Sequence, residues 1–183
     1  MDKGLSMDFE KSAGGILIPT SHMIVGGVFH VEHIREGELI DEFDCPNLVV
    51  NQGLDHLLNT VFTGSTQVNP WYLGLFEGNY TPVAAVTAAT ITAASTECVA
   101  YSESTRQEFV EAGASAQQIT NSANKATFTI NATKTIYGAF LVSNNTKSST
   151  AGTLFSAARF AAAKAVVASD QILLTYTFTA SSV

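Results

Sequence analysis

Two stretches of this chain alternate between apolar and polar at every second residue. In 119–142 (ITNSANKATFTINATKTIYGAFLV), Ala126, Phe128 and Ile130 form one apolar set, with Thr127, Thr129 and Asn131 between them. Ile136, Gly138, Phe140 and Val142 form a second set. A side-chain period of two belongs to a strand and not to a helix. The two runs are joined through 131–134, and so short a connection predicts an antiparallel pair. Near the end of the chain, Ile172, Leu174, Tyr176 and Phe178 share one face of a further strand, with Thr175, Thr177 and Thr179 on the other.

The same reading extends upstream. Residues 28–35 and 38–43 read as a hairpin closed by Glu36-Gly37. Pro46 breaks the chain, and Leu48, Val49 and Val50 start a new run. Asn51 suits a helix N-cap. Leu54, Leu57, Leu58 and Val61 then follow at i, i+3, i+4 and i+7, the stripe of an amphipathic helix. This predicts one short helix, about 52–62, covering an end of the fold, with Gly53 weakening its first turn. Residues 71–76 read as an apolar strand in which Gly74 permits close approach of a neighbour. The Ala/Thr-rich 78–97 reads as a long surface excursion, and 143–151 as a flexible loop. Residues 157–168 (AARFAAAKAVVA) set alanine's helix propensity against strand-like flanks. Pairing can override propensity, so a strand is expected over about 153–160 and a strand or irregular piece over 162–167. Many short strands between turn signals predict a mainly β fold, an antiparallel two-sheet sandwich.

Residues 1–26 form a separate compositional unit, an extended N-terminal arm before a sandwich domain at 27–183. Gly14-Gly15 and Gly26-Gly27 punctuate it, and Pro19 stops regular structure. Ile16, Leu17 and Ile18, then Met23, Ile24 and Val25, are apolar islands. They suit either a strand added to the same domain or an arm that anchors on a neighbouring subunit.

Charged residues make up 14% of the 183, against about 25% in ordinary soluble proteins. A charge-poor surface suits close packing on other proteins, and equally a neutral soluble β-protein. The net charge of −7 and the lack of any Lys/Arg cluster argue against nucleic acid, whose binding rests on phosphate neutralisation. No apolar run approaches the ~20 residues of a membrane helix. The start, MDKGLSMDFEKSAGG, has no signal-peptide character, so synthesis in the cytoplasm is expected, with Cys45 and Cys98 as reduced thiols.

Candidate chemistry is sparse. His30 and His33 are three apart, which on a strand points them to opposite faces, so no shared metal is expected. Asp55 and His56 are adjacent on a helix and do not face each other. Ser102, Ser104 and Thr105 have no base placed by sequence, and no phosphate-loop, HExxH or GxSxG motif occurs. A non-enzymatic protein without cofactor or metal is the expectation. Arg106 and Arg159 stand in charge-poor segments near Phe109 and Phe160. Each suits an intrachain pair with Glu103, Glu108 or Asp170, or a contact to a partner chain.

Five stretches carry a resemblance: 30–62 (HVEHIREGELIDEFDCPNLVVNQGLDHLLNTVF), 71–85 (WYLGLFEGNYTPVAA), 101–109 (YSESTRQEF), 119–142, and 152–160 (GTLFSAARF) with 170–179 (DQILLTYTFT). In order and spacing the chain resembles virion structural proteins of tailed bacteriophages, of the head decoration (cement) type. The resemblance begins near Gly27. It implies a jelly-roll-like sandwich that binds the outside of the assembled head and staples neighbouring major capsid subunits. The expected partners are the major capsid protein and further copies of the chain, as a homodimer or homotrimer, with the protein located on the capsid surface of the virion and made in the host bacterial cytoplasm. Ile16, Leu17, Ile18, Met23, Ile24, Val25, Arg106 and Arg159 are the expected partner contacts. A tail or collar component is the alternative within the same class. A host-surface glycan-binding module is a further one, favoured if Trp71, Tyr72 and Tyr80 share a groove.

Overall fold

The described residues form thirteen strands and two helices. In a computed structural model, residues 8–11, 17–20 and 22–182 are described, the first two segments by their backbone alone. Among the described residues, strands β1 (Asp8–Lys11) and β2 (Leu17–Thr20) pair only with each other. The chain continues through β3 (Met23–Arg35), β4 (Glu38–Pro46), β5 (Leu48–Val49), α1 (Asn51–Phe62), β6 (Tyr72–Phe76) and α2 (Ala88–Ser95). It then forms β7 (Glu97–Cys98), β8 (Gln107–Glu108), β9 (Gln118–Thr120), β10 (Ala126–Thr129), β11 (Lys134–Val142), β12 (Leu154–Val166) and β13 (Gln171–Ser182). One sheet has five strands in the order β10-β13-β3-β4, with β9 beside β13. The other has six in the order β5-β12-β11-β6-β7, with β8 also on β6. All pairings are antiparallel among the described residues, and the fold is the expected two-sheet β-sandwich.

The main core lies between the sheets. Phe29, Val31, Phe128, Ile172, Leu174 and Tyr176 come from the five-stranded sheet; Leu73, Leu75, Ile136, Leu141, Phe155 and Phe160 come from the other. Each such side chain contributes roughly 1.5–3 kcal/mol by leaving water. The β3–β4 hairpin closes as predicted: Glu36 and Gly37 both have positive φ, 54° and 84°, which a tight two-residue turn of matching twist requires.

The two runs of 119–142 do not pair with each other, contrary to expectation. β10 pairs with β13, Phe128 opposite Ile172, whereas β11 lies between β12 and β6. The short connection crosses from one sheet to the other, because both runs bury apolar residues in the same core from opposite sides. The second apolar set is also split. A register shift between Ile136 and Gly138 leaves Ile136 in the main core with Ala139 and Leu141, while Phe140 and Val142 enter a second core.

That second core corrects the reading of 78–97. The excursion contains α2, so the described residues hold two helices and not the one expected. Thr87 caps α2 in a reciprocal capping box with Thr90. Ala88 and Ile91 pack with Val50, Phe76, Val86, Phe140, Val142, Leu154 and Ala157. The six-stranded sheet is therefore covered on both faces.

At α1 the N-cap is Val50 and not Asn51, and no side chain caps the helix. Gly53 has a packing reason: a Cβ there would overlap the backbone of Phe155, so glycine lets α1 lie directly on β12. The alanine-rich segment is strand throughout 154–166. Its register breaks where Gly138 faces Arg159 and Ile136 faces Lys164, leaving Ala161, Ala162 and Ala163 exposed. Gly74 permits the close approach expected of it. Phe140 lies over Gly74, its cross-strand partner, and Phe76 lies over Gly138 in the same way.

Candidate interaction surfaces

The arm residues divide. Met23, Ile24 and Val25 begin β3 and pair with Ser182, Ser181 and Ala180, so regular structure of the sandwich starts at Met23, within the expected arm. Met23 is 62% and Ile24 56% exposed, and Val25 is half-buried. Leu17 and Ile18 lie in β2, opposite Lys11 and Glu10 of β1. Ile16 lies outside the described residues. Among the described residues, β1 and β2 hydrogen-bond to neither large sheet.

The expected partner contact at Arg106 is corrected. Its side chain is buried, with Nε donating to Glu97 Oε1 and Nη2 to Glu97 Oε2, both at 2.8 Å. Nη1 donates to the Asn144 carbonyl and Nη2 also to that of Ser149. The backbone N–H of Ser148 donates to Glu97. The pair pins the 143–152 loop, and its carboxylate is none of those named from sequence. A lone buried guanidinium would be too costly, and here the donors are matched. Arg159 is exposed and donates to Asn79 Oδ1 at 2.9 Å. It has no ion-pair partner among the described residues. It lines a cleft with Pro46, Leu48 and Pro82.

One end of the sandwich is apolar. On α1, Leu58, Val61 and Phe62 are 49%, 63% and 77% exposed. Beside them a file of edge-to-face rings runs His56–Trp71–Phe155–Phe178, with centroids 5.4, 5.4 and 5.2 Å apart. Val68, Trp71 and Phe155 line clefts on both sides of this file. The helix stripe thus meets the domain with its first turn and leaves its last turn uncovered.

The remaining candidates do not assemble a catalytic group. His56 Nε2 lies 3.4 Å from Thr60 Oγ1 and Asp55 points to solvent. Ser102 and Ser104 are exposed. Cys45 and Cys98 are buried free thiols whose pKa burial raises, which makes them inert. Burial pushes the Tyr176 hydroxyl up to about 12, partly offset by hydrogen bonds with Ser156 and Asn47. Trp71 belongs to the apolar end and Tyr80 packs on the second core, so the aromatic set proposed for glycan does not share a groove. His33 and His30 do take opposite faces. His33 is buried, its Nε2 2.8 Å from Asp170; His30 lies on the outer face, its Nδ1 2.8 Å from Asp44.

Among the described residues no helix is long and apolar enough to cross a membrane. No protein-family model matches the chain, and no curated protein matches it in sequence.

Proposed function

We propose that this protein is a non-enzymatic virion structural protein of a tailed bacteriophage, a decoration protein that binds the outside of the assembled head and staples neighbouring major capsid subunits. The observation that carries this reading is the uncovered last turn of α1. A sandwich with a complete core of its own still presents Leu58, Val61 and Phe62 to water. Contiguous exposed apolar surface marks interaction sites on otherwise soluble domains. Met23 and Ile24 add a second exposed apolar pair, at the point where the chain leaves for the β1–β2 hairpin. A domain face and a separate hairpin give two attachments, and a protein that holds two subunits together needs two. Self-association as a homodimer or homotrimer would multiply them.

The mechanism is mass action. A protein that binds only the assembled shell stabilises it in proportion to occupancy, with no bond made or broken. The sequence resemblance points the same way, and the low charge fits binding by apolar burial.

The test is co-sedimentation with assembled heads lacking the protein. The full chain should saturate the heads at a fixed ratio. Deletion of residues 1–20 should leave a folded domain, by circular dichroism and thermal melting, that binds heads poorly. Absence of saturable binding by the full chain contradicts the proposal. Undiminished binding by the deletion variant removes the arm from it.

A further inference from the structure

We propose that the outer face of the five-stranded sheet holds a divalent transition-metal site, with His30, Glu32 and Glu42 as ligands and Asp44 orienting His30. The hairpin register builds it. His30 and Glu32 are two apart on β3, so they share a face. Their partners on β4 are Asp44 and Glu42. One ligand atom from each of His30, Glu32 and Glu42 lies within 4.8 Å of the other two. Donors around a bound ion at about 2.0–2.2 Å stand somewhat closer, a gap that side-chain rotation closes.

Three features separate this group from a chance gathering of surface acids. First, Asp44 accepts a hydrogen bond from His30 Nδ1. The neutral imidazole then keeps its lone pair on Nε2, and a carboxylate behind a ligating histidine is the usual way its tautomer and ring are fixed. Second, Glu32 and Glu42 stand directly opposite each other, where like charges destabilise a sheet. Lys125 Nζ, 2.5 Å from Glu32 Oε2, offsets one charge; Glu42 has no ion pair among the described residues. Three carboxylates thus face one lysine and an imidazole, and a dication would balance them. Third, Thr175 stands opposite His30 on β13, on the same face. It is 8% exposed, and its hydroxyl has no hydrogen-bond partner among the described residues. A buried polar atom left unpaired in this way is costly; a metal-bound water beside His30 would supply its partner.

One imidazole nitrogen with two carboxylates suits zinc or manganese better than calcium, which prefers oxygen alone. Three protein ligands on a strand face leave at least one position open to solvent. Sequence spacing concealed the site, because Glu42 arrives through the hairpin and His33, the obvious companion of His30, faces the core.

The full chain, stripped by chelator and titrated with zinc ion in a calorimeter, should bind one ion per chain, with a rise in melting temperature. His30→Ala and Glu42→Gln should each weaken binding by about tenfold or more, and Asp44→Asn by about tenfold. Metal-free Glu42→Gln should melt at or above the parent chain, since it relieves the opposed charges; this separates a lost ligand from a lost fold. Metal-free Asp44→Asn should melt like the parent while its zinc-induced rise shrinks, as expected of a positioning residue. His56→Ala, on α1, should bind as the parent does. No saturable binding up to about 1 mM zinc, parental binding by His30→Ala and Glu42→Gln, or loss of binding in His56→Ala would each overturn the proposal.

Discussion

Arg106 and Glu97 form a two-pronged ion pair inside the protein, with side chains 0% and 2% exposed. Around it converge two loop carbonyls, Asn144 and Ser149, and the Ser148 N–H. The pair holds the 143–152 loop against β7. Removing one member leaves the other charged and buried, which costs about 3–5 kcal/mol. Arg106→Ala and Glu97→Ala should each lower stability to urea by that amount, and proteolysis should open the 143–152 loop first. The double replacement with apolar residues should be milder than either single one.

Asp170 gives stability a pH dependence. It is 1% exposed and accepts from Arg35, His33 and the Val167 N–H. The Arg35 guanidinium, foremost, holds its carboxyl well below the usual carboxylate range, against the opposing effect of burial. A depressed folded-state pKa contributes stability that is present above the unfolded value, near 3.9, and lost as pH falls below it. Melting temperature should therefore decline on acidification from about pH 5 downward. Asp170→Asn should be less stable at neutral pH and show a flatter decline over that window.

The glycines facing phenylalanines are fixed by space. A Cβ on Gly138 would collide with the carbonyl of Ala158 and the ring of Phe76, and one on Gly74 with the ring of Phe140. Backbone yields less than a ring edge. Gly138→Ala should cost about 1–3 kcal/mol or more, and Gly74→Ala less. Gly26→Ala, where nothing lies within 4 Å, should change stability by no more than about 0.5 kcal/mol. Denaturant midpoints of the three variants check the order.

What could be read in the sequence was local. Period two in 126–130 and 172–178 named the buried faces, and Glu36-Gly37 named its turn. Pairing was not legible: 126–130 and 136–142 look like a hairpin, yet both bury apolar residues in one core from opposite sheets. α2 escaped because Ala88 and Ile91 lie in an Ala/Thr-rich segment with no apolar stripe, and the cover it forms over Phe140 exists only in three dimensions. For the candidate surfaces, Met23 and Ile24 were marked as apolar islands of an arm, and the structure places them exposed at the start of β3. Arg106 was noticed as unusual, but its partner Glu97 comes from a two-residue strand that no pattern marked. The His30–Glu32–Glu42 cluster depends on β3–β4 register and had no sequence signal of its own.

If α1 docks through its last turn, Phe62→Ser with Val61→Ser should reduce binding to heads by at least tenfold and leave the melting temperature unchanged, because neither side chain is covered. Apolar burial contributes roughly 25 cal/mol per Å² whatever the salt. Binding of the parent chain should therefore change little between about 50 and 200 mM salt, a range over which a charge-driven complex weakens steeply. Sedimentation with heads at the two salt concentrations checks both points.

Electron microscopy of intact particles tests the decoration reading most directly. The account predicts density for this sandwich repeated over the outer surface of the head, at the junctions between major capsid subunits, with α1 turned toward the shell. Density confined to one vertex or to the tail, or particles that lack the chain altogether, would contradict it.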